Sequence, residues 1–280
     1  MTNQFYPCLW FDGKAKAAAE FYCSIFPNSK VLSNNPMVTM WELYGQKFMG
    51  LDGGPMYKPN PSISFFVTCE TKDEVDGLWE KISAGAKIMM PLDKYDWSEY
   101  YGFLEDQFGI SWQIFKGNMS DVNQKIVPCF LFTDDKFGKA NEAIQFYTSV
   151  FSNSKVDGIQ FYDENEMPQK GIVKHAQFVL NGNVFMAMDG AGTHNFSFNE
   201  GLSFVINCDT QEEIDYYWNT FTKDGGAESM CGWCKDKFGV SWQIVPTILG
   251  KLMGDPERSQ RVIAAFMQMK KFDIDKLVNA

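Results

Sequence analysis

The nine residues DQFGISWQI at 106–114 return as DKFGVSWQI at 236–244. Outward from this pair the correspondence continues. SFFVTCETKDEVDGLW at 64–79 is answered by SFVINCDTQEEIDYYW at 203–218, and FMGLDGG at 48–54 by FMAMDGA at 185–191. FYCSIFPNSKV at 21–31 is answered by FYTSVFSNSKV at 146–156, and Pro7-Cys8 by Pro128-Cys129. The blocks keep their order and only the spacers differ in length, which is the mark of an internal duplication. Two domains are therefore expected, at 1–117 and 126–250. The polar stretch KGNMSDVNQK at 116–125, which has no apolar period, reads as the linker between them.

Hydrophobic periodicity fills in each half. Ala18, Phe21, Tyr22 and Ile25 follow the spacing of an amphipathic helix, and Ala143, Phe146, Tyr147 and Val150 repeat it. A second helix is read from Val75, Leu78, Trp79 and Ile82, and again from Ile214, Tyr217, Trp218 and Phe221. Short β-prone runs lie around them: VTMWELYG, KFMGLD and ISFFVTC in the first half, HAQFVLNG, VFMAMD and LSFVINC in the second. SWQIF and SWQIV close each half as strands. Strands outnumber helices, which argues for an α+β class over a doubly wound parallel sheet. The remaining residues, 251–280, predict a helical extension. Asp255 would be its N-cap and Pro256 its first residue, with Val262, Ala265, Phe266 and Met269 on one apolar face.

Composition bounds the function. With 45% hydrophobic residues the chain is too apolar for a disordered one. The net charge is −10, and the only arginines, Arg258 and Arg261, lie in the tail, so a nucleic-acid partner is not expected. No apolar run is long enough to span a bilayer, and the N-terminal MTNQFYPCLWF lacks the features of a secretory signal. Seven scattered cysteines then read as reduced thiols in a cytoplasm.

A helix ending in F-Y-x-S-[IV]-F, a D-G pair after a strand, C-[ED]-T-x-x-E-[VI]-D and the closing D-x-F-G-[IV]-S-W-Q-I together resemble the PhnB-like family. That family carries the label 3-demethylubiquinone-9 3-methyltransferase and belongs to the glyoxalase/bleomycin-resistance, or vicinal-oxygen-chelate, superfamily. The resemblance covers both halves. It implies two tandem glyoxalase-like domains, each built of paired βαβββ modules whose strands curl around a pocket, with the C-terminal helix added. It also implies where a divalent metal would bind in the superfamily's enzymes. Pro7 and Pro128 fall at the first-strand ligand, Ser62 and Gly201 near another, and Gln113 and Gln243 at the last. Proline has no donor and two neutral amides hold a cation poorly, so no metal and no organic cofactor are expected.

Strand alternation supplies the candidate ligand-binding residues. In VKHAQFVL, His175 and Gln177 share a face opposite Ala176, Phe178 and Leu180; the apolar face must meet a helix, which leaves His175 and Gln177 toward the pocket. By the same rule Trp242 and Ile244 face the helices, and Ser241 and Gln243 face inward, as Gln113 does in the first half. The first half has Val38 and Met40 where the second has His175 and Gln177, so its pocket should be more apolar. The hairpin from Asp163 to Gly171 is placed to cover the second pocket. Cys231 and Cys234 have redox spacing but no helix N-terminus to activate them. The D-G pairs, Asp52-Gly53 and Asp189-Gly190, read as tight turns. The aromatic run Tyr95, Trp97, Tyr100, Tyr101, Phe103 reads as core packing or loop anchoring, with a lid or interface as the other reading. His194 sits in a polar loop and reads as exposed. Methyl transfer would need a Gly-rich strand-to-helix turn, and none occurs.

The expected partner is a small, partly apolar molecule, held without a metal; neither nucleic acid nor membrane is expected, and oligomers are allowed. A metal-dependent lyase, isomerase or dioxygenase using His175, and a structural or interaction protein with filled pockets, are the two other readings.

Overall fold

The computed structural model describes residues 5–166 and 171–280. The first repeat runs β1 (Phe5–Phe11), α1 (Ala15–Ile25), β2 (Ser29–Asn34), β3 (Val38–Leu43), β4 (Gln46–Asp52), then β5 (Ile63–Cys69), α2 (Lys72–Ile82), β6 (Lys87–Tyr95), β7 (Ser98–Glu105) and β8 (Ser111–Lys116). One short helix, α3 (Met119–Val122), lies in the linker. The second repeat runs β9 (Ile126–Phe132), α4 (Ala140–Val150), β10 (Lys155–Phe161), β11 (Val173–Leu180), β12 (Asn183–Asp189), then β13 (Leu202–Cys208), α5 (Gln211–Phe221), β14 (Ala227–Glu228), β15 (Trp233–Lys235) and β16 (Ser241–Pro246). The tail adds α6 (Ile248–Met253), α7 (Ser259–Phe266) and α8 (Ile274–Val278). The fold is α+β, with the βαβββ unit repeated along the chain.

Each unit places its strands in the order first, fourth, third, second. Both repeats therefore share one strand order, as a duplication requires. The sheets, however, do not follow the repeats. One eight-stranded sheet runs β10-β11-β12-β9-β5-β8-β7-β6, joining the second module of the first repeat to the first module of the second. The join is the antiparallel pair β5–β9, with Ile63 opposite Phe130 and Val67 opposite Ile126. The chain forms two compact units, residues 9–202, and residues 1–8 with 203–280. This sheet lies wholly in the first of them.

Within residues 9–202 the helices cover one face of the strands. On α1, Ala15, Ala18, Ala19, Tyr22 and Ile25 are buried. Tyr22 and Phe26 meet Trp112, with ring centroids 5.4 and 5.3 Å away, and Trp112 meets Phe65 at 5.3 Å. Trp41 stacks on Phe48 at 5.8 Å, which meets Phe65 at 5.6 Å, so one aromatic core ties α1 to β3, β4, β5 and β8. In the other unit α5 packs on β16, and Phe221 stacks on Trp242 at 4.6 Å and 6°.

The tail departs from the expected single helix. Asp255 does cap, accepting from Glu257 N at 3.0 Å, but it closes a turn, and α7 starts only at Ser259. Val262 is buried as expected, whereas Met269 lies beyond the helix end. Its main-chain carbonyl accepts from Cys231 N at 2.7 Å, so the segment is strapped along the chain before β15 rather than laid down as a helix. Among the described residues no helix is long and apolar enough to cross a membrane.

Candidate functional site

The motifs that recur most faithfully hold the fold. Asp106 is buried, and its Oδ1 accepts from Phe108 N at 2.8 Å and Ile110 N at 3.0 Å. Its Oδ2 accepts from Tyr22 Oη at 2.7 Å and Trp112 Nε1 at 2.8 Å. Asp236 repeats this with Phe238 N, Val240 N and Trp242 Nε1, at 2.8, 3.1 and 2.8 Å. Gly109 and Gly239 turn the chain at φ +86° and +93°, where a side chain is strained. The D-G aspartates do more than turn: Asp52 Oδ1 accepts from Ala15 N at the start of α1 (3.0 Å), and Asp189 Oδ1 from Gly138 N and Ala140 N at the start of α4 (2.8 and 3.2 Å).

Inside the eight-stranded sheet, on the face away from the helices, Gln113 is buried and already committed. Its Nε2 donates to Ser64 Oγ at 2.7 Å, and its Oε1 accepts from Tyr101 Oη. Cys129 stands opposite Ser64 in the β5–β9 register. The other unit has a like grouping: Gln243 Nε2 donates to Ser203 Oγ at 3.0 Å, and the buried Cys8 thiol lies beside both. Each grouping thus holds the cysteine after the proline and a serine, Ser64 or Ser203, that accepts from the glutamine. Pro7 and Pro128 sit one place before these cysteines, and Ser62 and Gly201 two places before the serines. Because the strand period is two, a one-residue shift exchanges faces.

These groups do not fit a divalent cation. Burial pushes the Cys8 thiol up to about 12 and the Cys129 thiol higher still, so both stay protonated, and the Gln113 amide is held by Ser64 and Tyr101. Among the described residues no three His, Cys, Asp or Glu side chains gather as a metal would need. Ser241 is buried, and its Oγ has no partner among the described residues; Ser111 repeats this at the matching position. Cys234 is buried and Cys231 half-buried, and burial raises both thiols, against an activated redox pair.

The open space lies elsewhere on the same sheet. A groove of about 880 Å³ is lined by Val122 of α3, by Lys155, Asp157 and Ile159 of β10, by His175, Gln177 and Val179 of β11, and by Val184 of β12. Alternation on β11 is as the sequence reads: Ala176, Phe178 and Leu180 are fully buried toward α4, and His175, Gln177 and Val179 face the other way. His175 lies edge-on to Phe66 of β5 at 6.2 Å, and Phe66 meets Tyr101, the partner of Gln113, at 6.4 Å. Burial lowers His175 below its ordinary pKa, so the imidazole is neutral at neutral pH.

The structure thus brings His175 and Gln177 together in the groove, with Gln113 deeper on the same sheet. Gln243 and Ser241 belong to β16 in the other unit and do not line this groove. Val38 and Met40 of β3 are half-buried. His194 caps its own loop, its ring nitrogen 2.9 Å from Ala191 O. Of the hairpin Asp163 to Gly171, expected to cover the second pocket, residues 167–170 lie outside the described residues. The aromatic run forms the β6–β7 hairpin: Trp97 is exposed and stacks on Tyr95 at 5.0 Å, while Tyr101 is buried. Asp157 was not foreseen. A β-bulge between Val156 and Gly158 inserts it into β10, and a bulge re-aims a side chain. The Asp157-Gly158 pair inside a β-prone run was the available signal.

Comparison with known proteins follows the repeat. The family model described as 3-demethylubiquinone-9 3-methyltransferase matches residues 3–115 and again 124–245. A putative 3-demethylubiquinone-9 3-methyltransferase, PhnB protein, from Bacillus cereus is 34% identical over 40% of this chain and 98% of its own, with a TM-score of 0.38. Glyoxalase I from Zea mays is 12% identical over 89% of this chain and 94% of its own, with a TM-score of 0.58, a likeness of fold. Protein PA1353 from Pseudomonas aeruginosa is 22% identical over 39% and 93%, with a TM-score of 0.33. No curated protein matches the chain.

Proposed function

Because the chain belongs to the 3-demethylubiquinone-9 3-methyltransferase family, with the tandem fold seen in glyoxalase I, we propose that it binds a small, partly apolar molecule in the groove of the eight-stranded sheet, without a metal. The observation that carries this reading is the groove itself. Its volume of about 880 Å³ suits a small organic molecule, and it sets His175 and Gln177 beside Val122, Val179 and Val184. Methyl transfer is not part of the reading, since the chain has no Gly-rich strand-to-helix turn for a nucleotide-type methyl donor. A reducing compartment, the cytoplasm, is part of it and rests on seven unpaired cysteines. A thermal-shift screen of small molecules on the purified protein tests it. At least one compound should raise Tm by an amount that grows with the logarithm of its concentration above Kd, and His175→Ala should weaken that compound. A silent screen, or hits indifferent to His175→Ala, overturns the reading.

One observation favours a structural role for the deeper part of the sheet. Phe66, Tyr101, Val127, Cys129 and Met186 pack together there, closed over by the Tyr101–Gln113–Ser64 hydrogen bonds. On this reading Gln113 holds the sheet and meets no ligand. Gln113→Ala would then lower stability and leave the affinity of any screened compound unchanged.

A further inference from the structure

Gln177 and Asp157 set acceptor oxygens in the groove. Gln177 donates its side-chain amide to the main-chain oxygen of Asp121 at 3.1 Å and points it at Asp157 Oδ2, 3.5 Å away. Both neighbours accept only, which fixes the orientation of the amide. Its two N–H groups are committed, and its Oε1 meets no donor among the described residues. His175 has no hydrogen-bond partner among them either, and as a neutral imidazole it carries no charge that would repel a cation. Asp157 Oδ1 meets Lys155 Nζ at 2.8 Å, but the lysine side chain is 69% exposed and such a pair is weak. Among the described residues of the lining Lys155 is the one cation, and the Asp157 carboxylate faces it. The Asp121 carboxylate is turned away, toward Asn118 Nδ2 at 3.1 Å.

Resting on the reading of the groove as a ligand site, we propose that it takes an amine: a protonated amino group donating to Gln177 Oε1 and Asp157 Oδ2, with an apolar body along Val179, Val184 and Val122. A carboxylate ligand of the same shape would leave Gln177 Oε1 unpaired and meet the Asp157 charge. The energetic asymmetry is that of unmade hydrogen bonds, and it favours a donor head over an acceptor head.

Isothermal titration of the full chain at pH 7.5 with 2-phenylethylamine, 2-phenylethanol and 3-phenylpropanoate tests this. The amine is expected to bind at least tenfold more tightly than the alcohol, and the carboxylate most weakly. Asp157→Asn, a surface change of nearly equal shape, should abolish the tenfold advantage of the amine over the alcohol. Val179→Trp, which fills the groove, should block all binding. If the carboxylate binds as tightly as the amine, or the amine keeps its advantage in Asp157→Asn, the amine assignment is wrong and the groove survives as a ligand site. If binding persists in Val179→Trp, or none of the three probes binds the wild type, the groove reading falls with it.

Discussion

Asp106 and Asp236 each collect two backbone N–H groups and a tryptophan Nε1 around one buried carboxylate. Truncation leaves those donors buried without an acceptor, and each orphaned donor costs about 1–3 kcal/mol. Asp106→Ala should therefore lose about 3 kcal/mol or more, read as a fall in the urea midpoint at unchanged slope. A loss under about 1 kcal/mol would show that the turn holds without the carboxylate. His175 makes a pH prediction. Its folded-state pKa lies below the ordinary 6.5, so between those two values the unfolded chain binds more protons than the folded one. Stability should therefore fall as pH drops through and below 6.5. Asp121, Asp157 and Lys155 are the other charged groups lining the same groove. Urea titrations at pH 7.5 and pH 5 check this, with His175→Gln expected to reduce the slope between them.

The helices start on local signals. Thr71 Oγ1 accepts from Glu74 N at 3.1 Å, and Thr210 with Glu213 makes a full capping box at α5. The T-x-x-E core of the family motif is thus a pair of helix caps. Thr71→Ala and Thr210→Ala should each cost about 1 kcal/mol by denaturant melt. The tail is held by a different device. Gly232, at φ +80°, lies so close to Phe272 that an added Cβ would stand 2.4 Å from its ring, and its N–H donates to Lys270 O at 2.7 Å. Gln211 clamps Phe272 O and Ile274 N at 3.0 and 2.9 Å. Phe272→Ala should cost about 3 kcal/mol and expose 251–280 to limited proteolysis. A tail as protease-resistant as the wild type would show that Phe272 is not its anchor.

On the scale of the whole molecule, the sheet carrying the groove needs both repeats. His175 and Gln177 come from the second, Phe66 from the first, and Val122 from the linker between them. A chain ending at residue 117 would leave β5 with a bare edge where β9 belongs, and exposed apolar edges recruit partners. The separately expressed fragment 1–117 is therefore expected to self-associate, and the fragment 126–280 to bind no groove ligand. Analytical ultracentrifugation showing a folded monomer of 1–117 would count against this pairing.

The α+β class, the duplication, the four principal helices and the facing of His175 and Gln177 are legible in the sequence because they are periodic. A helix stripe or an alternating strand is written in residues a few positions apart. The straps and bulges escaped that reading. Asp157 enters the groove through a one-residue insertion that no period announces, and the tail follows Gly232 and Phe272 rather than its own helical stripe. Above all, the company of His175 was settled by strand pairing between distant segments. Hydrophobic patterning says which face of a strand is buried, but not which module's edge it will meet. Only the β5–β9 pairing set His175 beside Phe66 and left Gln243 to a separate unit.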